Sequence, residues 1–219
     1  MELTEPTSQP KRRTAPPRHV IVDAAAELFS ERGYHSARMQ EIADRAGIAK
    51  PTLYVYGKSK LALLEAIYQR VIDDADRALT AIDRLDDPVD QLSELIRAWI
   101  TIAIERRSSN FVFFSDETAL PEHLARRYKR WSAKTFRRVR DILEAGQATG
   151  VFSGEIDANA AAFAIISSTQ STVRWWTEQG PLDREALIQN HIELFERGLL
   201  TPTARRKTAR RRATRHPDC

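Results

Sequence analysis

With 219 residues the chain can bury a substantial core, as one large or two small domains. Its single cysteine, Cys219, excludes an intramolecular disulfide, and no apolar run approaches the ~20 residues of a membrane span. The net charge of +4 is unevenly placed: from Thr201 onward seven Lys or Arg accompany one Asp, a local +6, which leaves the rest of the chain at −2.

Residues 1–17 are rich in Pro, Ser, Thr and charge and read as a disordered basic arm with no apolar leader, so a cytoplasmic protein is expected. Lys11, Arg12, Arg13 and Arg18 precede the first helix. Such an arm either lies along DNA phosphates or is a solvated tail. His19 to Arg32 repeats Val20, Ile21, Ala24, Ala25, Leu28 and Phe29 with helical period, and Gly33 closes the helix. Met39 to Ala46 has apolar residues at i, i+3, i+4 and i+7, and Gly47 stops it. Pro51 suits the first turn of a third helix, Lys50 to Tyr56. Two short helices joined by a tight turn make a helix-turn-helix, whose second helix enters the DNA major groove. The outward residues of that helix are Lys50, Thr52, Val55 and Tyr56, with Tyr54 close by: a cation, a hydroxyl, phenols and a small apolar group suited to phosphates and base edges. Tyr34 is expected to pack against the turn.

The combination Gly33-Tyr34, Ile42-Ala43, Ala46-Gly47-Ile48, Thr52-Leu53-Tyr54, Tyr56, Ser59-Lys60 and Leu63 or Leu64 resembles the N-terminal domain of TetR-type transcriptional regulators over about Val20 to Leu64. Two positions depart from that pattern. Gly57 stands where the family usually has Phe, and Arg38 stands where it usually has a capping Thr or Ser. Either Ser36 caps the second helix instead, or Arg38 contacts a phosphate. The resemblance implies DNA contacts from Arg38, Gln40, Lys50, Thr52, Tyr54, Val55, Tyr56 and Lys60. Lys60 adds a helix N-terminus to its side-chain charge.

Ser59 reads as the cap of a long helix to about Ile82 that links residues 18–64 to a second domain, 65–200. Asp86-Asp87-Pro88 breaks the chain, and a helix follows from Val89 to about Arg107. Ser108 to Leu120, with Phe111, Val112, Phe113 and Phe114 in a row, reads as a short helix buried on several sides. Pro121 opens a helix to about Thr149 in which no acid occurs between Arg126 and Arg140; Gly146 and Gly150 are read as its end. Asp157 caps a helix to about Glu178 that starts with small residues, Ala158 to Ala164 and then Ser167, Ser168 and Ser171, which let two helices approach closely. The last helix, Asp183 to about Leu200, buries Leu187, Ile188, His191, Ile192, Leu194, Phe195 and Leu199. Residues 201–219 read as a disordered basic tail.

The expected fold is all-α: a three-helix DNA-binding head and a helical effector-binding and dimerisation domain, about nine helices in all. Gly-rich phosphate loops, paired Cys/His spacings and a nucleophile elbow are absent from the sequence, so neither enzyme activity nor a cofactor or metal is expected. The resemblance implies a homodimer through the last two helices, bound to double-stranded palindromic DNA and released by a small hydrophobic or acyl-coenzyme A-like effector, with repression the family's common case. Candidate effector contacts are Trp99, Phe111, Phe114, Tyr128, Trp131 and Arg174. The basic stripe from Arg126 to Arg140 has two readings. It holds an anionic group such as the phosphates of an acyl-coenzyme A thioester, or it is a solvated face paired with Glu105, Asp116, Glu117 and Glu122. A competing class is an architectural, sequence-tolerant DNA binder that uses both basic ends.

Overall fold

The computed structural model describes residues 17–115 and 120–215, almost wholly helical, and divides the chain into two compact units between Leu64 and Glu65. The expected arm residues Lys11, Arg12 and Arg13 lie outside the described residues, as do Asp116, Glu117 and Cys219.

The first unit holds α1 (Arg18–Arg32), α2 (Met39–Arg45), α3 (Lys50–Tyr56) and the start of α4 (Lys60–Ile82). Its core is Ile21, Leu28, Phe29, Ile42, Leu53 and Leu64, each at most 2% exposed. Gly33 (φ 79°) and Gly47 (φ 67°) end α1 and α2 in the left-handed region, where a Cβ would be strained. Ser36 does not supply the cap of α2. Arg38 holds the N-cap position, and Glu41 reaches back to accept from its backbone N–H at 2.9 Å. Ser59 Oγ accepts from the Ala62 N–H at the start of α4, as its sequence position predicts.

Gly57 has a physical reason. It caps α3 with its N–H on the Leu53 carbonyl, and a Cβ there would lie 2.5 Å from Leu63 Cδ2. The buried Leu63 side chain occupies the space that a larger residue at 57 would need.

In the second unit α4 continues to Ile82. It is followed by α5 (Pro88–Glu105), α6 (Arg107–Ser115), α7 (Glu122–Ala148), α8 (Ala158–Trp175), α9 (Arg184–Leu199) and α10 (Pro202–Arg215). α7, α8 and α9 all pack on α5. Side chains of Asp87, Asp157 and Asp183 cap α5, α8 and α9. Gly146 does not end α7; it is buried inside the helix with the Phe152 ring against it, and the helix runs on to Ala148. Leu194, expected in the core, is 67% exposed, as is Phe163 of α8 at 62%.

The tenth helix corrects the reading of a disordered tail. Thr201 Oγ1 accepts from the Ala204 N–H, and Pro202 sits in the first turn, where its missing N–H costs nothing. Positions 201, 204, 208 and 211 are half-buried at helical spacing, and Ala204 packs on the core. Arg211 pairs with Asp87 at 2.8 Å and with Asp90, and these carboxylates, Asp90 foremost, raise its guanidinium above the ordinary value. The pairing is long-range, so a local charge count does not reveal it.

Candidate DNA interface and effector cavity

α3 presents an exposed face. Lys50, Tyr54 and Val55 are open to solvent, Val55 at 78% and Tyr54 at 44%, while Thr52 and Tyr56 are half-buried beside them. An exposed valine between phenols and a lysine gains nothing in the isolated chain, and it suits contact with thymine methyls and base edges. Leu53 turns the other way and is fully buried, which fixes the helix on its unit. Arg38 and Gln40 are exposed at the start of α2; Gln40 Nε2 donates to Asp44 at 2.8 Å.

Lys60 is held differently from its neighbours. Its ammonium donates to the carbonyls of His35 at 2.9 Å and Ala37 at 3.0 Å and lies 4.7 Å from the centre of the Tyr34 ring. Tyr34 in turn stacks edge-on against Phe29 at 5.3 Å, so it packs against the turn as expected. Lys60 therefore ties α4 to the loop before α2. Ion pairs brace α2 on α1: Arg45 with Glu31 at 2.6 Å and with Glu27 at 3.8 Å, and Arg32 with Glu41 at 2.7 Å. The Arg45 hydrogen bond holds the Glu31 carboxyl below the usual carboxylate range.

In the second unit a cavity of about 40 Å³ is walled by α4 (Val71, Ala75), α5 (Trp99, Ile102, Ala103), α6, α7 and α8. Of the six sequence candidates, Trp99, Phe114 and Trp131 line it. Tyr128 stands one ring away, 6.2 Å from Trp131. Phe111 is half-buried and outside the wall, and Arg174 is exposed with its guanidinium 3.4 Å from the Phe114 carbonyl. The centre of the aromatic cluster is Phe113, fully buried, with Phe114, Tyr128 and Trp131 edge-on at 5.0, 5.0 and 5.5 Å. Sequence reasoning missed Asn110, Thr135, Thr169 and Gln170 in the wall. Aromatic content drew attention to the large rings, and small polar residues on facing helices carry no local signal.

An open groove runs between α7 and α8, floored by Phe136, Phe163 and Ile166 and edged by Lys129, Arg137 and Arg140. Tyr128 lines this groove, so the Tyr128–Trp131 ring pair adjoins both sites. The expected acidic partners of the stripe are met only in part. Arg126 pairs with Glu122, Arg138 with Asp83, and Arg140 with Asp141 and Glu144, whereas Glu105 pairs with Arg184. Among the described residues, Lys129, Arg130, Lys134 and Arg137 have no ion-pair partner. No group of three metal-ligating side chains and no helix long and apolar enough to cross a membrane occurs among the described residues.

Comparison with known proteins agrees with this architecture. Residues 21–67 match the model for bacterial regulatory proteins of the tetR family, and residues 85–199 match a tetracyclin repressor-like C-terminal domain. The chain is 30% identical over 195 residues to the HTH-type transcriptional repressor KstR2 of Mycolicibacterium smegmatis, covering 88% of this chain and 93% of that one. The structure of the ketosteroid transcriptional regulator KstR2 of Mycobacterium tuberculosis superposes with a TM-score of 0.79 at 21% identity, over 86% of this chain and 97% of the other. AibR, solved in complex with isovaleryl coenzyme A and operator DNA, superposes with a TM-score of 0.72 at 21% identity, over 81% and 96%. From the two matched domains and the full-length relative, the chain belongs to the TetR family of bacterial regulatory proteins, DNA-binding transcription regulators and not enzymes.

Proposed function

We propose that the protein is a dimeric repressor that binds a palindromic operator through α3 and leaves it on binding an acyl-coenzyme A thioester. Arg38, Gln40, Lys50, Thr52, Tyr54, Val55 and Tyr56 make the DNA contacts, and Lys60 positions α4 and offers its remaining N–H to a phosphate. The observation that carries the effector class is the adjacency of an apolar, ring-lined cavity and a groove edged by three cations, of which Lys129 and Arg137 have no acidic partner among the described residues while Arg140 pairs with Asp141 and Glu144. An acyl group suits the apolar lining of the first, which must widen beyond its present 40 Å³ to admit one, and the phosphates of coenzyme A suit the second. The relative named a repressor supports the sign of regulation. The AibR complex is a precedent within the same fold.

Dimerisation runs through α8 and α9, the last two helices before α10. Ala160, Phe163, Ala164 and Ser167 share an exposed face of α8, and Asn190, Glu193, Leu194 and Arg197 share one on α9. Small side chains around Phe163 and Leu194 let helices of a second copy approach closely, and two exposed large apolar groups are then removed from water.

Release follows from linkage. α4 carries Lys60 in its first turn and Val71 and Ala75 in the cavity wall, so one continuous helix meets both events. An effector that favours the DNA-free arrangement shifts the population; one that binds both arrangements equally shifts nothing.

The test is displacement of the purified protein from its selected operator by a series of thioesters of increasing chain length, with coenzyme A and the free acids as controls. Release by thioesters of one length range, weakened at least several-fold by Lys129→Gln with Arg137→Gln, is the expected result. Equal release by the free acids overturns the role of the groove, and no release by any thioester overturns the effector class.

A further inference from the structure

The cavity wall holds polar atoms whose needs the protein does not meet. Asn110 Nδ2 donates to the carbonyls of Ile102 at 3.2 Å and Arg106 at 3.1 Å. Thr169 Oγ1 donates to the Ile165 carbonyl at 2.8 Å. Trp131 Nε1 donates to Asp76 Oδ1 at 3.2 Å, and Trp176 Nε1 to the Leu182 carbonyl at 2.9 Å. Trp99 differs. It is 9% exposed, its Nε1 is buried, and that N–H has no acceptor among the described residues. The same holds for Thr135 Oγ1, on a residue 4% exposed. Both residues line the cavity, one from α5 and one from α7.

A buried indole N–H normally finds an acceptor, and leaving one unmet costs more than a typical hydrogen bond contributes. Trp131 and Trp176 follow that rule. Phenylalanine at 99 and valine at 135 would fill similar space without the polar atom. The two orphaned groups sit on α5 and α7, in a mainly apolar wall that also carries Asn110, Thr169 and Gln170.

From this we infer that the effector carries a hydrogen-bond acceptor on its apolar portion, a ketone or similar carbonyl oxygen, that sits inside the cavity and takes the Trp99 N–H and the Thr135 hydroxyl. The inference rests on the reading of this cavity as the effector site, and it narrows the effector class: a plain saturated chain leaves both groups unmet. Discrimination of this kind is steep because the penalty falls on the ligand that lacks the oxygen.

The cavity of about 40 Å³ must widen to admit either of two probes of one carbon skeleton; both carry that same opening cost, so the sign of preference between them decides the matter. A dry apolar cavity takes ethylbenzene over acetophenone, because burying an unpaired carbonyl costs free energy. A cavity with waiting donors takes acetophenone. The full-length protein, labelled with nitrogen-15 in its indoles, is titrated with each probe, and Trp99→Phe assigns the Trp99 signal. Acetophenone is expected to bind about threefold to tenfold more tightly than ethylbenzene, in keeping with one net hydrogen bond, and to move the Trp99 indole signal downfield. Trp99→Phe is expected to remove the ketone's advantage while ethylbenzene still binds. Thr135→Val is expected to shrink that advantage and leave thermal stability unchanged or slightly raised, since it deletes an unmet polar atom. Ethylbenzene binding as well as or better than acetophenone overturns the inference, as does a ketone preference that survives Trp99→Phe. Failure of both probes to bind removes the cavity as a ligand site and the inference with it. Ketone preference without operator release by any thioester leaves the inference standing and discards only the thioester reading.

Discussion

Gly146 and Gly57 are each small for a reason that lies elsewhere in the chain. A Cβ at Gly146 would sit 2.0 Å from Phe152 Cδ2, and that ring is 1% exposed in the core beneath α7. Alanine in a helix interior gains about 1 kcal/mol of propensity over glycine. Here overpacking acts against it at about 1–3 kcal/mol, and a buried ring cannot move aside cheaply. Gly146→Ala is therefore expected to lower stability in spite of its better propensity, which urea unfolding of the variant checks. Gly57→Ala meets Leu63, whose side chain is flexible but 2% exposed, so a smaller loss is expected. At this scale the sequence was read by motif, and the motif marked Gly57 as a departure without showing its partner. Leu63 is six residues further along the chain, and only the folded α3–α4 corner places it over Gly57. The polar atoms of Trp99 and Thr135 were equally hidden, because an unmet hydrogen bond is a property of neighbours and not of residue type.

Helix α10 and the pair α8 and α9 show where charge and period diverge as signals. A run of seven cations from Arg205 to Arg215 reads as a repelling, solvated tail. What orders it is a cap at Thr201, small inward residues at Ala204 and Thr208, and the bridge from Arg211 to the two aspartates at the start of α5. Arg211 is partly exposed, so solvent screens the pairs and the stabilisation they give is below about 1 kcal/mol. Arg211→Ala is expected to leave global unfolding nearly unchanged while amide exchange over residues 205–211 accelerates several-fold. Unchanged exchange would show that the caps and Ala204 hold the helix without the bridge. On α8 and α9 the caps and starts were legible, since Asp157 and Asp183 precede strongly periodic runs. Leu194 was misplaced because an apolar residue on a helix looks the same whether it faces its own core or a second copy. Phe163→Asp combined with Leu194→Asp is expected to convert the protein from dimer to monomer in light scattering while its helical circular dichroism is kept.

For the molecule as a whole, the all-α class and the order of the first nine helices were readable because the apolar residues keep helical period over long stretches and because Gly, Pro and Asp punctuate them. The cavity was not readable, since five helices each contribute two or three residues to its wall. The two readings of overall behaviour, sequence-specific regulator and sequence-tolerant binder, part company over α10. Deletion of residues 202–219 is expected to spare the preference for one operator and to reduce mainly salt-sensitive, non-specific affinity. In the proposed function, α3 of two copies reads two half-sites of one palindrome. The most direct measurement is selection of bound DNA from a random pool by the full-length protein at near-physiological salt. Enrichment of an inverted repeat, with its half-sites at a fixed spacing and lost on Val55→Asp, is the predicted result. Recovery of no common sequence, or of a single asymmetric site bound by one chain, would contradict it.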